Sequence, residues 1–122
     1  MKKIYLAIPY SGMAESSYEQ ATKASAELMK EHAGINVFSP ITHSHALTEY
    51  GLRGDWAFWK EIDFQFIDWA DEVWVLIPNE GVEKVLKSVG VIGEINHANE
   101  TGKPVHFYKR GSDGFIREVK SL

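Results

Sequence analysis

The chain has 122 residues, of which 44% are hydrophobic and 25% charged, with a net charge of -4 and no cysteine. This length fits one hydrophobic core, so we expect a single domain over residues 1–122, and the balance of residue types argues against disorder and a membrane span. The lack of cysteine excludes disulfides, thiolate nucleophiles and cysteine zinc sites and fits a cytoplasmic protein, while the lack of a long basic run argues against a nucleic-acid partner.

The first predicted element is a strand over residues 3–9, "KIYLAIP", an apolar run too short for an export signal that leads into a Pro-Tyr-Ser-Gly loop. Helical spacing of apolar residues predicts an amphipathic helix over residues 16–31, with Gly34 as its C-cap. "INVFSP" predicts a second strand that Pro40 stops. Residues 41–54 show neither the helical nor the strand period of apolar residues, so we expect a long loop there.

A helix is predicted over residues 56–70 with Asp55 as its N-cap, followed by a third strand over residues 72–78 that is apolar on both faces. A polar loop, a helix containing Glu94 and a fourth strand over residues 105–108 come next, and the tail from Gly111 is open between a short helix and an edge strand. This alternation predicts a three-layer, flavodoxin-like (Rossmann-like) α/β fold with a parallel sheet of four to five strands flanked by helices. The ligand is then expected beyond the carboxyl ends of the strands.

One carboxylate, Glu94, stands among small and apolar residues in "SVGVIGEINHA". If its helix starts near residues 88–90, Glu94 leans toward Gly90, and Gly90 and Gly93 leave a notch around it. A nearby helix start favours the ionised form and predicts a pKa below the usual ~4.3, which suits a nucleophile. A solvated acid in the first helical turn would explain the same pattern.

A second carboxylate, Asp63, shares a helix face with Trp56, Trp59 and Phe66. Burial among these rings would raise its pKa, so that Glu94 is ionised while Asp63 holds or donates a proton. Such a pair suits cleavage of a glycosidic bond. The alternative is an aromatic core with the acid at its margin.

Three stretches carry a family resemblance: "KIYLAIPYSG", the eight-residue step from Asp63 to Asp71 before an apolar strand, and "SVGVIGEINHANETGKPV". They resemble the nucleoside 2-deoxyribosyltransferase family, which includes nucleoside 5'-monophosphate N-glycosidases, over about residues 3–108. The spacing from Glu94 through Ala98 to "GKPV" is the most specific part. "FSPITHSH" with "DWAFW" looks like a bacterial and phage branch of that superfamily.

The resemblance implies that Glu94 attacks the anomeric carbon to form a covalent ribosyl intermediate, that Asp63 holds or protonates the departing base, and that Tyr5 orients Glu94. Without the resemblance, Tyr5 is equally well explained as a core tyrosine with one hydrogen bond. The resemblance also implies a small-molecule nucleotide or nucleoside as partner, no metal or cofactor, and a homodimer or larger homo-oligomer.

Ser88 stands six residues before Glu94, where family members that act on free nucleosides tend to carry aspartate. Serine resembles the monophosphate-cleaving members, because a hydroxyl and helix-start amides accept a phosphate that aspartate would repel; Ser88 is also a possible N-cap. The other candidate substrate-binding residues are Tyr10, Ser11, Gly12, His43, Trp59 and Gly90. His43 and His45 have a weak metal spacing and are otherwise explained as solvated loop residues.

Two departures from the family pattern concern assembly and pocket. The loop over residues 79–87 is longer than in compact members, and the residue that the family supplies from a neighbouring subunit has no match in the tail. We expect an N-glycosidase acting on a nucleoside 5'-monophosphate, with the 2'-deoxy form favoured. The alternatives are a deoxyribosyltransferase of free nucleosides, a non-catalytic nucleotide-binding or sensing module, and an interaction protein with exposed tryptophans.

Overall fold

The computed structural model describes residues 1–120 and 122. Its strands are β1 (Lys2–Ala7), β2 (Ile35–Phe38), β3 (Glu72–Ile77), β4 (Val105–Arg110) and β5 (Ile116–Val119). Its helices are α1 (Ala14–Glu31), α2 (Pro40–Thr48), α3 (Trp56–Trp69), α4 (Val82–Leu86) and α5 (Val89–Glu100).

The strands form one sheet in the order β2-β1-β3-β4-β5, in which the first four run parallel and β5 is antiparallel to β4. This arrangement confirms the predicted flavodoxin-like α/β fold, and the tail forms the edge strand rather than a helix. In this strand order the chain reverses direction across the sheet between β1 and β3, which is where folds of this type bind ligands.

Apolar side chains cover the sheet on both faces, which explains why the central strands are hydrophobic throughout. On one face, alternate residues of β1 such as Ile4 and Leu6 pack against Ala21, Ala24 and Leu28 of α1. On the other face, Tyr5, Ala7 and the inward residues of β3 pack against α3, α4 and α5. Tyr5 is therefore aimed toward the helices that carry Asp63 and Glu94.

The expected loop over residues 41–54 is wrong for its first half, because α2 begins at Pro40. Ser39 caps this helix through its hydroxyl oxygen, which accepts the N–H of Thr42 at 3.1 Å, and proline is tolerated in a first turn that needs no donor. Pro40 therefore starts a helix as well as ending a strand. The expected polar loop over residues 79–87 likewise contains the short helix α4.

Asp55 occupies the N-cap position of α3, but its carboxylate does not cap the helix. It binds the Arg53 guanidinium instead, with nitrogen to oxygen distances of 2.6 and 2.8 Å. Of the four tryptophans, Trp59 and Trp74 are buried, Trp56 is half-buried and Trp69 is 39% exposed. Among the described residues, no helix is long and apolar enough to cross a bilayer.

Candidate active site

A cavity lies beyond the carboxyl end of β1, where the strand order predicts a ligand. The loop after β1, the helix α2, the start of α3 and the first turns of α5 enclose it. Its lining residues are Ile8, Tyr10, Ser11, Ile41, Ser44, Thr48, Gly54, Trp56, Trp59, Asp63, Ser88, Val89, Gly90, Val91 and Glu94.

Glu94 lies on the inner face of α5 and is only 5% exposed. The helix begins where the sequence predicted, with Ser88 as N-cap, and the Ser88 hydroxyl oxygen accepts the N–H of Val91 at 3.1 Å. Tyr5, fully buried on β1, donates its hydroxyl hydrogen to Oε2 of Glu94. The tyrosine thus fixes one carboxyl oxygen, and the carboxyl group also lines the cavity.

Asp63 is the second buried carboxyl group of the cavity, 7% exposed on the inner face of α3. Burial raises the pKa of Asp63 to about 7, while a hydrogen bond from Tyr5 opposes this rise. This agrees in direction with the sequence-based expectation. Three side chains from β1, α3 and α5 therefore meet although they lie far apart in the chain.

The expected low pKa of Glu94 is contradicted. Burial, followed by the negative charge of Asp63, raises the pKa of Glu94 to about 8, although the hydrogen bond from Tyr5 lowers it. A helix start stabilises a carboxylate only modestly, whereas removal from water costs several kcal/mol, so burial wins. The two carboxyl groups titrate as a coupled pair that holds a proton near neutral pH.

The glycines before Glu94 make room for a side chain of the protein, not for an empty notch. The indole of Trp56 lies against α5, and a Cβ atom on Gly93 would be 2.6 Å from its Cζ2 atom. A Cβ atom on Gly90 would meet the same indole at an ordinary 3.5 Å. Trp56 thereby closes one side of the cavity, so that the expected gap is filled by an aromatic wall.

Hydroxyl groups dominate the polar lining of the cavity. Ser11, Ser88 and Tyr10 take the positions that the sequence predicted, and Trp59 and Gly90 also line the cavity. Ser44 and Thr48 of α2 also line the cavity. Sequence analysis missed these two residues because it did not predict α2. The Ser39-Pro40 pair is the signal that could have revealed the start of this helix. Among the described residues, the lining contains no lysine, arginine or histidine.

Two of the candidate substrate-binding residues lie outside this lining. Gly12 is in the turn after β1 with a φ angle of 79°, which glycine adopts easily, and it does not contact the cavity. His43 is exposed on α2, where its ring lies beside that of Phe38. The structure therefore does not bring His43 to the predicted pocket.

His45 is not a solvated loop residue, because it is buried on α2. Its Nδ1 atom is 2.7 Å from the Tyr10 hydroxyl, its Nε2 atom is 3.1 Å from Glu15, and its ring stacks on Tyr18. Within the described chain, Glu15, His45 and Glu49 form a group whose ligand atoms lie within 4.8 Å of one another, close enough to hold a metal ion. Both glutamates are exposed, and His45 already has two polar partners.

Comparisons with known proteins agree with this fold. A family model described as a domain of unknown function, DUF1937, matches residues 2–110. Among solved structures, one match is a 2-deoxyribosyltransferase from the psychrotolerant bacterium Bacillus psychrosaccharolyticus, a biocatalyst for the synthesis of antiviral and antitumoral nucleosides. It is 27% identical, the match covers 90% of this chain and 74% of that chain, and the TM-score is 0.62. No curated protein matches the chain.

Proposed function

The chain belongs to the DUF1937 family, and we propose that this member cleaves the N-glycosidic bond of a nucleoside 5'-monophosphate, with a 2'-deoxynucleotide as the preferred substrate. One observation carries the proposal. A buried glutamate, Glu94, is held by the hydroxyl of Tyr5 at the wall of a cavity that also contains a second buried carboxyl group, Asp63. The structural similarity to a 2-deoxyribosyltransferase supports the same class of chemistry.

In the first step, a carboxylate oxygen of Glu94 forms a bond to C1' of the sugar while the bond from C1' to the base nitrogen breaks. The bonding electrons leave with the base, and Asp63 donates its proton to that base. The negative charge of Glu94 stabilises the oxocarbenium-like transition state. Tyr5 keeps one oxygen of Glu94 hydrogen-bonded and leaves the other free to attack.

In the second step, the Asp63 carboxylate takes a proton from a water molecule as the water oxygen bonds to C1'. The bond between Glu94 and C1' breaks, and Glu94 leaves as a carboxylate. A second base in place of water would make the reaction a transfer. The raised pKa of Asp63 supports this role, because the group then holds a proton for the first step and can recover one in the second.

The first turn of α5 is our proposed phosphate site. Ser88, Val89 and Gly90 line the cavity there, and the unpaired N–H groups and positive end of a helix attract an anion. Ser88 already accepts a hydrogen bond as N-cap, but its hydroxyl hydrogen is available to a phosphate oxygen. Recognition would thus rely on amides and hydroxyls.

A second candidate function is deoxyribosyl transfer between free nucleosides. It is favoured by the absence of any cationic side chain from the described lining, since phosphate sites commonly include arginine or lysine. The matched bacterial protein is itself a 2-deoxyribosyltransferase, which is in keeping with this alternative. The third candidate, a sensing module, has the same cavity and no turnover.

Chromatography of the free base separates these candidates. The purified protein is incubated with each common nucleotide and nucleoside, beside Glu94→Gln and the control Glu100→Gln, an exposed glutamate at the end of the same helix. We expect base release from monophosphates, a rate loss of ~1,000-fold or more in Glu94→Gln, and no loss in the control. Exchange between nucleosides would support the transferase, and binding without turnover would support the sensor.

Substitution of Ser88 separates phosphate binding from helix capping. Aspartate preserves the N-cap, whereas its charge repels a phosphate, so Ser88→Asp should retain stability and lose cleavage of monophosphates by ~100-fold. Ser88→Ala should cost about 1 kcal/mol of stability and less activity. Equal effects of Ser88→Asp on nucleotides and nucleosides would contradict the proposed phosphate site.

The resemblance leads us to propose a homodimer or larger homo-oligomer as the working form. Light scattering on a sizing column should give at least twice the mass of the chain. A monomer at the concentrations at which the protein is active would contradict this assembly.

A further inference from the structure

A chain of hydrogen bonds connects the cavity to the surface of the protein through His45. Tyr10 lines the cavity, and its hydroxyl lies 2.7 Å from Nδ1 of His45. Nε2 of the same ring lies 3.1 Å from Oε1 of Glu15 on α1. The ring is buried and stacks on Tyr18 at a centroid distance of 4.7 Å, which restricts its orientation.

The order of donors and acceptors in this chain follows from the chemistry of its ends. The carboxylate of Glu15 only accepts hydrogen bonds, so Nε2 of His45 carries the hydrogen. In the neutral ring, Nδ1 then has a lone pair and accepts the hydroxyl hydrogen of Tyr10. With its hydrogen committed to His45, the Tyr10 oxygen presents only lone pairs to the cavity.

We propose that His45 is a positioning residue that makes Tyr10 a hydrogen-bond acceptor for a donor group of the substrate, either a sugar hydroxyl or an exocyclic amine of the base. This inference rests on the proposed function and refines the recognition of the same substrate. A phosphate has oxygen acceptors rather than donors, so this assignment excludes Tyr10 from the binding of the phosphate. The phosphate then depends on Ser88 and the start of α5.

The competing explanation is that His45 only holds α2 in place. That helix has other attachments, because Ser39 caps it and the Thr42 hydroxyl is 2.9 Å from that of Thr22 on α1. Loss of the His45 ring would therefore weaken the helix without necessarily changing Tyr10. A test must change one nitrogen position of the ring at a time.

Replacing His45 by asparagine or by glutamine tests the two ring nitrogens separately. The asparagine amide reaches the position of Nδ1 and can still accept from Tyr10, whereas the glutamine amide reaches the position of Nε2 and can still donate to Glu15. We expect His45→Gln and Tyr10→Phe each to raise KM about tenfold with kcat within about threefold, the effect of one lost hydrogen bond. His45→Asn should recover most of the affinity, and the control His32→Gln, an exposed histidine at the end of α1, should match wild type.

The double variant Tyr10→Phe/His45→Gln tests whether the two residues act together. If His45 works through Tyr10, the double variant is no worse than either single variant. Additive losses, a kcat effect in place of the KM effect, or equal losses in His45→Asn and His45→Gln would overturn the inference in favour of a structural role.

Substrate analogues identify the donor. A 2',3'-dideoxynucleotide lacks the 3'-hydroxyl, and a purine nucleotide without its amino group lacks the exocyclic amine. One of these should bind about tenfold more weakly than its parent to wild type and equally well to Tyr10→Phe. If Tyr10→Phe discriminates both analogues as wild type does, Tyr10 does not accept from either group and the inference is wrong.

A spectroscopic measurement tests the hydrogen-bond chain without any turnover. In protein labelled with ¹⁵N-histidine, the ring signals of His45, assigned from their loss in His45→Gln, should show hydrogen on Nε2 and a bare Nδ1. Hydrogen on Nδ1, or on both nitrogens, would overturn the inference.

If the protein binds a nucleotide or nucleoside without turnover, Kd replaces KM in these tests. If it neither binds nor cleaves any nucleotide or nucleoside, the proposed function and this inference both fail, whereas normal turnover without the Tyr10 pattern removes only the inference.

Discussion

The proposed chemistry of the site depends on a proton that two buried carboxyl groups share. In the proposed mechanism Glu94 must be ionised to attack, and Asp63 must be protonated to assist the departing base. Burial raises the pKa of Asp63 to about 7, and burial together with the charge of Asp63 raises that of Glu94 to about 8. The hydrogen bond from Tyr5 lowers both pKa values and supports the anionic form. In the proposed mechanism the reactive form of the pair carries one proton, on Asp63; because the pKa of Glu94 is the higher of the two, this is the less populated arrangement of the singly protonated pair.

Substituting Asp63 should change both limbs of the pH profile. Without the negative charge of Asp63, the pKa of Glu94 falls, so the acidic limb of kcat/KM in Asp63→Asn moves to lower pH. The alkaline limb disappears, because the proton donor is gone, and the rate at pH ~7 falls by ~100-fold or more. The measurement is kcat/KM from pH 5 to 9. An unchanged bell-shaped profile would show that Asp63 is not part of the titrating pair.

Removing the Tyr5 hydroxyl should move the acidic limb in the opposite direction. Tyr5→Phe deletes the hydrogen bond that lowers the pKa of Glu94, so more alkaline conditions are needed to ionise the nucleophile. We expect kcat/KM at pH ~7 to fall about tenfold or more, with recovery as pH rises toward the alkaline limb. A drop in rate that is uniform across the pH range would indicate a packing defect and not a role in ionisation.

At the scale of secondary structure, the packing of α3 on α5 depends on glycine. The Trp56 indole lies so close to α5 that a methyl group on Gly93 would overlap it, whereas one on Gly90 would make a normal contact. The same indole is part of the cavity wall. The distance between these two helices, which carry Asp63 and Glu94, is therefore coupled to the shape of the cavity.

Two glycine substitutions one helical turn apart test this packing. Gly93→Ala should lose about 1–2 kcal/mol of unfolding free energy, because overpacking outweighs the gain in helix propensity. Gly90→Ala should lose nothing and can gain up to about 1 kcal/mol. Urea unfolding measures both. Trp56→Phe removes the Cζ2 atom that clashes, so Gly93→Ala should cost less in that background. Equal costs in both backgrounds would rule out the clash.

The elements that sequence predicted are those with local signals. The strands β1 and β3 are apolar runs ended by proline, and α5 has a serine cap and a glycine-lysine-proline stop. The helix α2 has a local start signal in Ser39-Pro40 but no apolar stripe, because its buried positions include the polar Ser44 and His45. The burial of His45 is explained by its tertiary partners Tyr10 and Tyr18, and no window of sequence reveals them.

Part of the site was also predictable, because some of its residues have signals that are visible in the sequence. The small-residue surroundings of Glu94 and the family resemblance point to Glu94 and Ser88, the aromatic face of α3 points to Asp63, and all three line the cavity. The ionisation of Glu94 was not predictable, since it depends on burial and on the charge of a residue in another helix. The filling of the glycine notch by Trp56 was missed because nothing local to α5 indicates which side chain would approach it.

For the whole molecule, two buried carboxyl groups make stability depend on pH. Their pKa values are raised from the usual ~4 of unfolded chains to about 7 and about 8 in the folded protein. Between pH ~4 and pH ~8 the folded state binds more protons than the unfolded state. The free energy of unfolding therefore falls as pH rises from ~4 through ~8, so the burial of these two groups costs stability at higher pH.

Substituting Glu94 by glutamine should remove a large part of this loss. Glutamine resembles the protonated glutamate and cannot ionise, so Glu94→Gln should be close to wild type at pH 5 and more stable by on the order of 2 kcal/mol at pH ~8. Urea unfolding at both pH values measures the difference. The exposed Glu100→Gln should follow wild type at each pH, because its carboxylate remains in water. Two outcomes would contradict this: a wild type that is equally stable at both pH values, or a Glu94→Gln variant that is less stable than wild type at pH ~8. In either case Glu94 does not hold a proton in the folded protein, and the proposed chemistry with a shared proton is wrong.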